Sequence, residues 1–170
     1  MRIFFFTIAF AGYCAVSLGQ SAGTSDQYRV YLFLLEDCKI TQAYTDKIKY
    51  LYQTFAGDSI HFSGYFPNPV SADTTMQAFI EKHQLPFSCA RAGAYELARR
   101  FDVTVTPEVV VYNETRDSVY YQGRIDNLFE RVGQRRQVIT SHELEAALYC
   151  IQHNKSIPIP RTTAVGCFFK

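Results

Sequence analysis

An α/β fold with a mixed central sheet, helices on both faces and an extended C-terminal tail follows from three features of the sequence. Apolar, β-rich runs alternate with helical stripes from residue 28 to residue 101. Two further β-rich runs, separated by a polar turn at Thr115 to Asp117, form a hairpin. Pro158 and Pro160 keep the last residues out of a helix.

Each element has its own signal. "YRVYLFLL" (28–35) is the kind of run buried on both faces of a sheet. From Cys38 onward, Ile40, Tyr44, Ile48, Leu51 and Phe55 recur at steps of three and four, one face of a helix that ends at Gly57. "IHFSGYF" (60–66) is a second strand. Ser71 is expected to cap a helix carrying Met76, Phe79 and Ile80, which stops before Pro86. "AYELARRF" (94–101) is a short helix, with Leu97, Ala98 and Phe101 on one side. "EVVVYNE" (108–114) and "SVYYQGRI" (118–125) form the hairpin, and Ser141 is expected to cap a closing helix with the stripe Leu144, Ala147, Leu148 and Ile151. "ERVGQRRQVITS" (130–141) reads as a polar, solvated insertion in which Arg131, Arg135 and Arg136 are available to an anion.

The first residues are expected to lie outside this domain. Met1 and Arg2 precede the uncharged run "IFFFTIAFAGYCAV", and Ser17 and Gly19 flank a cleavage point. This is the pattern of a secretory signal over residues 1–19. A linker (20–27), a domain (28–154) and a tail (155–170) follow, and no membrane span remains in the mature protein. Tyr13 argues against lipidation at Cys14, because a lipobox needs a small residue there. Across the 170 residues, 17 basic side chains balance 16 acidic ones, so no general field draws the chain to nucleic acid or anionic lipid.

Export makes disulfides permissible. Cys38, Cys89, Cys150 and Cys167 remain after the signal, and four cysteines allow three complete pairings. There is no C-x-x-C and no zinc-like Cys/His spacing, so neither metal nor cofactor is expected and any chemistry belongs to sulfur. Cys38 holds a distinctive address, where the first strand gives way to the first helix, the end at which open α/β sheets present their sites. Helix N-terminal N–H groups favour a thiolate there. Glu36 and Asp37 oppose it unless Asp37 is occupied in capping, and Lys39 partly offsets them.

The order of elements, the corner "DCKI" and the segments "VTPE", "GRID" and "AVGC" together resemble the thioredoxin-like superfamily, and within it exported redoxins of the AhpC/TSA-like type. The resemblance spans residues 28–170. It departs from the family at Lys39, where proline is usual, at Thr41, where a thioredoxin has its second cysteine, and at Leu35, where peroxiredoxins have threonine. It implies a cis Thr106–Pro107 bond facing Cys38, with extended backbone before it free to pair with a passing peptide, and it brings Arg124 to the rim of the site. There Arg124 would stabilise a thiolate or orient a peroxide, or else form a salt bridge with Asp126.

A thiolate that forms a mixed disulfide or sulfenic acid needs a second thiol to release it, and Thr41 supplies none. The tail "SIPIPRTTAVGCFFK" has the reach to bring Cys167 back to Cys38. Cys167 paired with Cys89, or a Cys38–Cys167 bond acting only as a staple, are the alternatives. Cys89, just before a loop, is expected to be exposed and Cys150 to hold a structural place. Two functions follow. One is an extracytoplasmic antioxidant or thiol oxidoreductase acting on a protein disulfide or hydroperoxide and fed by a thiol electron donor. The other is a non-catalytic thioredoxin-like binding module held by structural disulfides.

Overall fold

The structure, a computed structural model, describes residues 25–169; the leader read at 1–19, with Cys14, lies outside them. The strands are β1 (Tyr28–Phe33), β2 (Ile60–Tyr65), β3 (Ser88–Ala90), β4 (Val105–Thr106), β5 (Glu108–Asn113), β6 (Ser118–Gly123), β7 (Phe129–Arg131), β8 (Gln134–Arg135) and β9 (Cys167–Phe168). The helices are α1 (Lys39–Phe55), α2 (Asp73–His83), α3 (Ala94–Arg100) and α4 (Glu143–Gln152).

Five strands form one mixed sheet in the order β3-β2-β1-β5-β6. β1, β2 and β3 run parallel, whereas β5 and β6 run antiparallel to their neighbours. The two-residue period of a strand divides the core between the two faces. Val30, Leu32, Val109 and Val111 point to one face, where they pack with the apolar stripes of α1 and α4 and with Phe79 of α2. Tyr31, Phe33, Val110 and Tyr112 point to the other, where Ala98 of α3, Phe101 and Val103 cover them. The fold class expected from the sequence is the one observed.

Strand direction decides where a site can form. Because β1 and β2 are parallel and β5 is antiparallel to β1, the ends of β1, β2 and β6 and the start of β5 all lie at one edge of the sheet. That edge gathers Cys38, Pro107 and Arg124.

Several local expectations are corrected. α2 and α4 are capped at Ala72 and His142, with no side-chain cap, so Ser71 and Ser141 stand one residue too far upstream to reach the first-turn amides. The Ser141 N–H is instead held by Asn127 Oδ1 at 3.1 Å. Asp37 does not cap α1, whose N-cap is Cys38 itself. The insertion at 130–141 contains all but the first residue, Phe129, of a small ribbon, β7–β8, which turns through Gly133 at φ +80°. Its strands are too short and polar to show an alternating pattern. Cys89 lies in β3, just before the loop, and is half-buried rather than exposed, its sulfur occupying the space left by Gly64, where an added Cβ would lie 2.6 Å from Cys89 Sγ.

Candidate active site

Cys38 sits at the N-terminus of α1 with extended backbone, φ −74° and ψ 117°, and its carbonyl accepts the first helical bond from Gln42 N at 2.9 Å. The first-turn amides of α1 have no intrahelical acceptors and no capping side chain, so their partial positive charge is directed at the cysteine. Glu36 is drawn away from it, with Oε1 accepting from Thr75 at 3.1 Å. Lys39 Nζ donates to Gln42 Oε1 at 3.1 Å. Thr41, in the place of a C-x-x-C second thiol, is fully buried and its hydroxyl has no partner among the described residues.

The Thr106–Pro107 peptide bond is cis, as the resemblance implied. The Thr106 carbonyl oxygen lies 3.4 Å from Cys38 Sγ, so β4 forms one wall of the site. Directly after the proline, Glu108 is buried, and that burial pushes its carboxyl above the usual carboxylate range although Gln122 Nε2 donates to it at 2.9 Å.

The tail closes the site. Residues from Pro160 run beside β6: Gln122 N donates to Pro160 O at 3.0 Å and Thr162 N donates to Gln122 O at 3.0 Å. The Thr162 hydroxyl oxygen accepts from Arg124 N at 3.0 Å and lies 2.9 Å from the Tyr121 hydroxyl. Gly123 leaves no room for a side chain there, since a Cβ would run into Thr162. Beyond this anchor the chain reaches β4 and pairs with it antiparallel, Thr106 opposite Cys167 and Val105 opposite Phe168. Cys167 thereby comes to Cys38, and the two form a disulfide with α-carbons 6.0 Å apart.

Arg124 pairs with Glu143 rather than with Asp126. Its guanidinium donates from Nε to Glu143 Oε1 at 2.9 Å and also from Nη2, and Glu143, at the start of α4, is nearly buried. That carboxylate holds the Arg124 pKa above its ordinary value. Asp126 is instead bound by Tyr44, whose hydroxyl donates to Asp126 Oδ1 at 2.8 Å. Arg124 therefore fixes α4 to the end of β6 and, through its backbone, seats the tail. Thr162, Gly166 and Glu143 were missed in the sequence. A threonine and a glycine upstream of a tail cysteine were the available signal.

Cys89 and Cys150 are free. Burial pushes the Cys89 thiol up to about 11. It should therefore resist iodoacetamide at pH 8 and react faster as the pH approaches 11. Because the folded state keeps this proton through a range in which the unfolded chain has lost it, Cys89 should make the protein less stable as pH rises from about 9 to about 11. Denaturant midpoints of the native chain and Cys89→Ala across that range would test this, and equal slopes would disprove it.

No protein-family model matches the sequence, and no curated protein matches it significantly. Solved structures do. An uncharacterized conserved protein from Geobacillus kaustophilus superposes with a TM-score of 0.73 at 21% identity, covering 86% of this chain and 78% of that one. A thioredoxin-like protein in its oxidized form superposes with a TM-score of 0.57 at 8% identity, over 77% and 81% of the two chains. The fold is thioredoxin-like. A secreted Mycobacterium tuberculosis disulfide oxidoreductase, homologous to E. coli DsbE, shares this thioredoxin-like fold with a TM-score of 0.50 at 18% identity, over 73% of this chain and 81% of that one.

Proposed function

We propose that this chain is an extracytoplasmic thiol–disulfide oxidoreductase whose redox couple is Cys38 and Cys167. The observation that carries this reading is the disulfide between a helix N-terminal cysteine and a tail cysteine, made against Thr106 beside a cis proline. Its chemistry is symmetrical: a thiolate breaks the Cys38–Cys167 bond to form a mixed disulfide, and a second thiol then closes that mixed disulfide into a substrate disulfide or a restored couple. α1 stabilises the Cys38 thiolate, and the backbone of β4 aligns its partner. The sequence's signal-like leader supports a place outside the cytosol, where such a couple meets protein disulfides. No helix among the described residues is long and apolar enough to cross a membrane. The Mycobacterium tuberculosis neighbour, named as a secreted disulfide oxidoreductase, uses the same fold for such work.

One observation favours the stapled binding module instead: Cys38 is only 2% exposed and belongs to the main core. Insulin separates the two readings. The purified protein should accelerate precipitation of insulin by dithiothreitol, and parallel consumption of hydrogen peroxide would extend the substrate class to hydroperoxides. If neither reaction exceeds its uncatalysed rate while the disulfide stays closed, the disulfide is a staple.

A further inference from the structure

The two sulfurs of the couple are not equally reachable. Cys38 is 2% exposed, is packed into the main core and has the Thr106 carbonyl 3.4 Å from its Sγ. Cys167 packs against the edge of that core but is partly exposed, so of the two cysteines it is the one that solvent reaches. Thiol–disulfide exchange proceeds by attack on one sulfur with departure of the other, and the choice depends on access and on how well the leaving sulfur carries charge.

Both factors point the same way. A thiolate that attacks Cys38 Sγ must open the core and expel Cys167, which sits on a tail with no helix dipole behind it. A thiolate that attacks Cys167 Sγ arrives from solvent and expels Cys38 onto the uncapped first-turn amides of α1.

We infer that a substrate thiol joins this protein at Cys167, not at Cys38, and that the tail is the arm that carries the substrate. This rests on the oxidoreductase reading above. In the step, the incoming thiolate forms a new S–S bond with Cys167 Sγ, the Cys38–Cys167 bond breaks, and its electron pair leaves on Cys38 Sγ. The substrate sulfur is oxidised to the mixed-disulfide level, and Cys38 is reduced. A second thiol of the substrate then displaces Cys167, leaving the substrate oxidised and both cysteines reduced. In the opposite direction Cys167 attacks a substrate disulfide and Cys38 releases the product.

The arm has a fixed root. Thr162 is held to Gln122, Tyr121 and Arg124, whereas residues beyond it meet the rest of the site through the β4–β9 pairing, the disulfide and the packing of Val165 and Phe169. Breaking the disulfide removes the covalent part of that hold and leaves the root in place. The substrate class that suits such an arm is a cysteine on an accessible, extended stretch of another protein, since the arm presents its own cysteine on a two-residue strand at the surface.

Reduced glutathione is the probe. The oxidised wild-type chain is mixed with it, quenched with acid within the first few per cent of reaction, alkylated with N-ethylmaleimide and mapped by peptide mass. Glutathione should be found on the Cys167 peptide at least tenfold more often than on the Cys38 peptide, with N-ethylmaleimide on Cys38 in the same molecules. Adducts divided evenly, or found chiefly on Cys38, would overturn the inference while leaving the oxidoreductase reading intact. An absence of adducts on either cysteine until the chain is unfolded would overturn both.

Discussion

Replacing Cys167 by Ser should reduce disulfide turnover to the uncatalysed rate and lower the stability of the chain by about 5 kcal/mol relative to the oxidised wild type. The stability figure comes from chain entropy. The bond joins residues separated by 129 positions, and tethering so large a loop restricts the unfolded ensemble far more than the folded one. For a domain of this size the loss corresponds to a fall in Tm of roughly 15 °C, measurable by calorimetry. The fold should survive, since every buried member of the two core clusters lies outside the tail, whose Val165 and Phe169 only pack against them. Peptide mapping of the variant after brief exposure to a disulfide substrate should find Cys38 mostly still a thiol, because the sulfur that receives the substrate is gone and Cys38 is only 2% exposed. Reduced wild type should be destabilised to the same extent. If the variant instead keeps wild-type turnover, Cys167 is not half of the couple.

The same quantity sets the direction of electron flow. Whatever stability the disulfide confers on the fold, the fold returns to the disulfide, so about 5 kcal/mol corresponds to roughly 100 mV towards a more reducing couple. On the proposed oxidoreductase reading, the reduced form would then donate to substrate disulfides and would need a thiol donor of its own.

How much of this was legible in the sequence depends on the range of the interactions. That β1 is buried on both faces was readable because Val30, Tyr31, Leu32 and Phe33 form an unbroken apolar run, and α1 because its stripe runs unbroken from Ile40 to Phe55. Cys38 was legible as a corner because a strand end followed by a helix start is a local pattern. β4 and β9, by contrast, have two residues each and exist because Gly166 lets the tail backbone approach Thr106. No period can reveal a strand of that length. The partner of Arg124 was equally hidden: Asp126 is nearer in sequence, but Tyr44 and the Leu128 N–H occupy Asp126 Oδ1, while α4 brings Glu143 across. Four cysteines left the pairing open. The tail's route along β6, set by Thr162 and Gly123, is what selects Cys167 for Cys38.

Gly166→Ala isolates that route from the chemistry of sulfur, because it keeps both cysteines and adds one methyl group. An ideal Cβ at Gly166 would collide with the Thr106 carbonyl and stand 2.9 Å from Thr106 N, and these are backbone atoms that no rotamer change can move. β4 cannot retreat freely, since Thr106 is fully buried and the next strand, β5, is paired on both sides in the sheet, with β1 and β6. The tail must give way. Loss of the Thr106–Cys167 register removes the approach of α-carbons to 6.0 Å that the disulfide uses. An overlap of this kind typically costs about 1–3 kcal/mol, which shifts the equilibrium between closed disulfide and open dithiol by roughly 5- to 150-fold. In a glutathione buffer that leaves the wild type half oxidised, the variant should therefore be mostly dithiol, with Cys38 and Cys167 both alkylated on peptide mapping. Val165→Ala, which trims a half-buried side chain without touching Thr106, should shift that midpoint far less. A Gly166→Ala midpoint equal to the wild type's would mean that the tail reaches Cys38 by a route other than pairing with β4, and the strand register would then have no part in forming the couple.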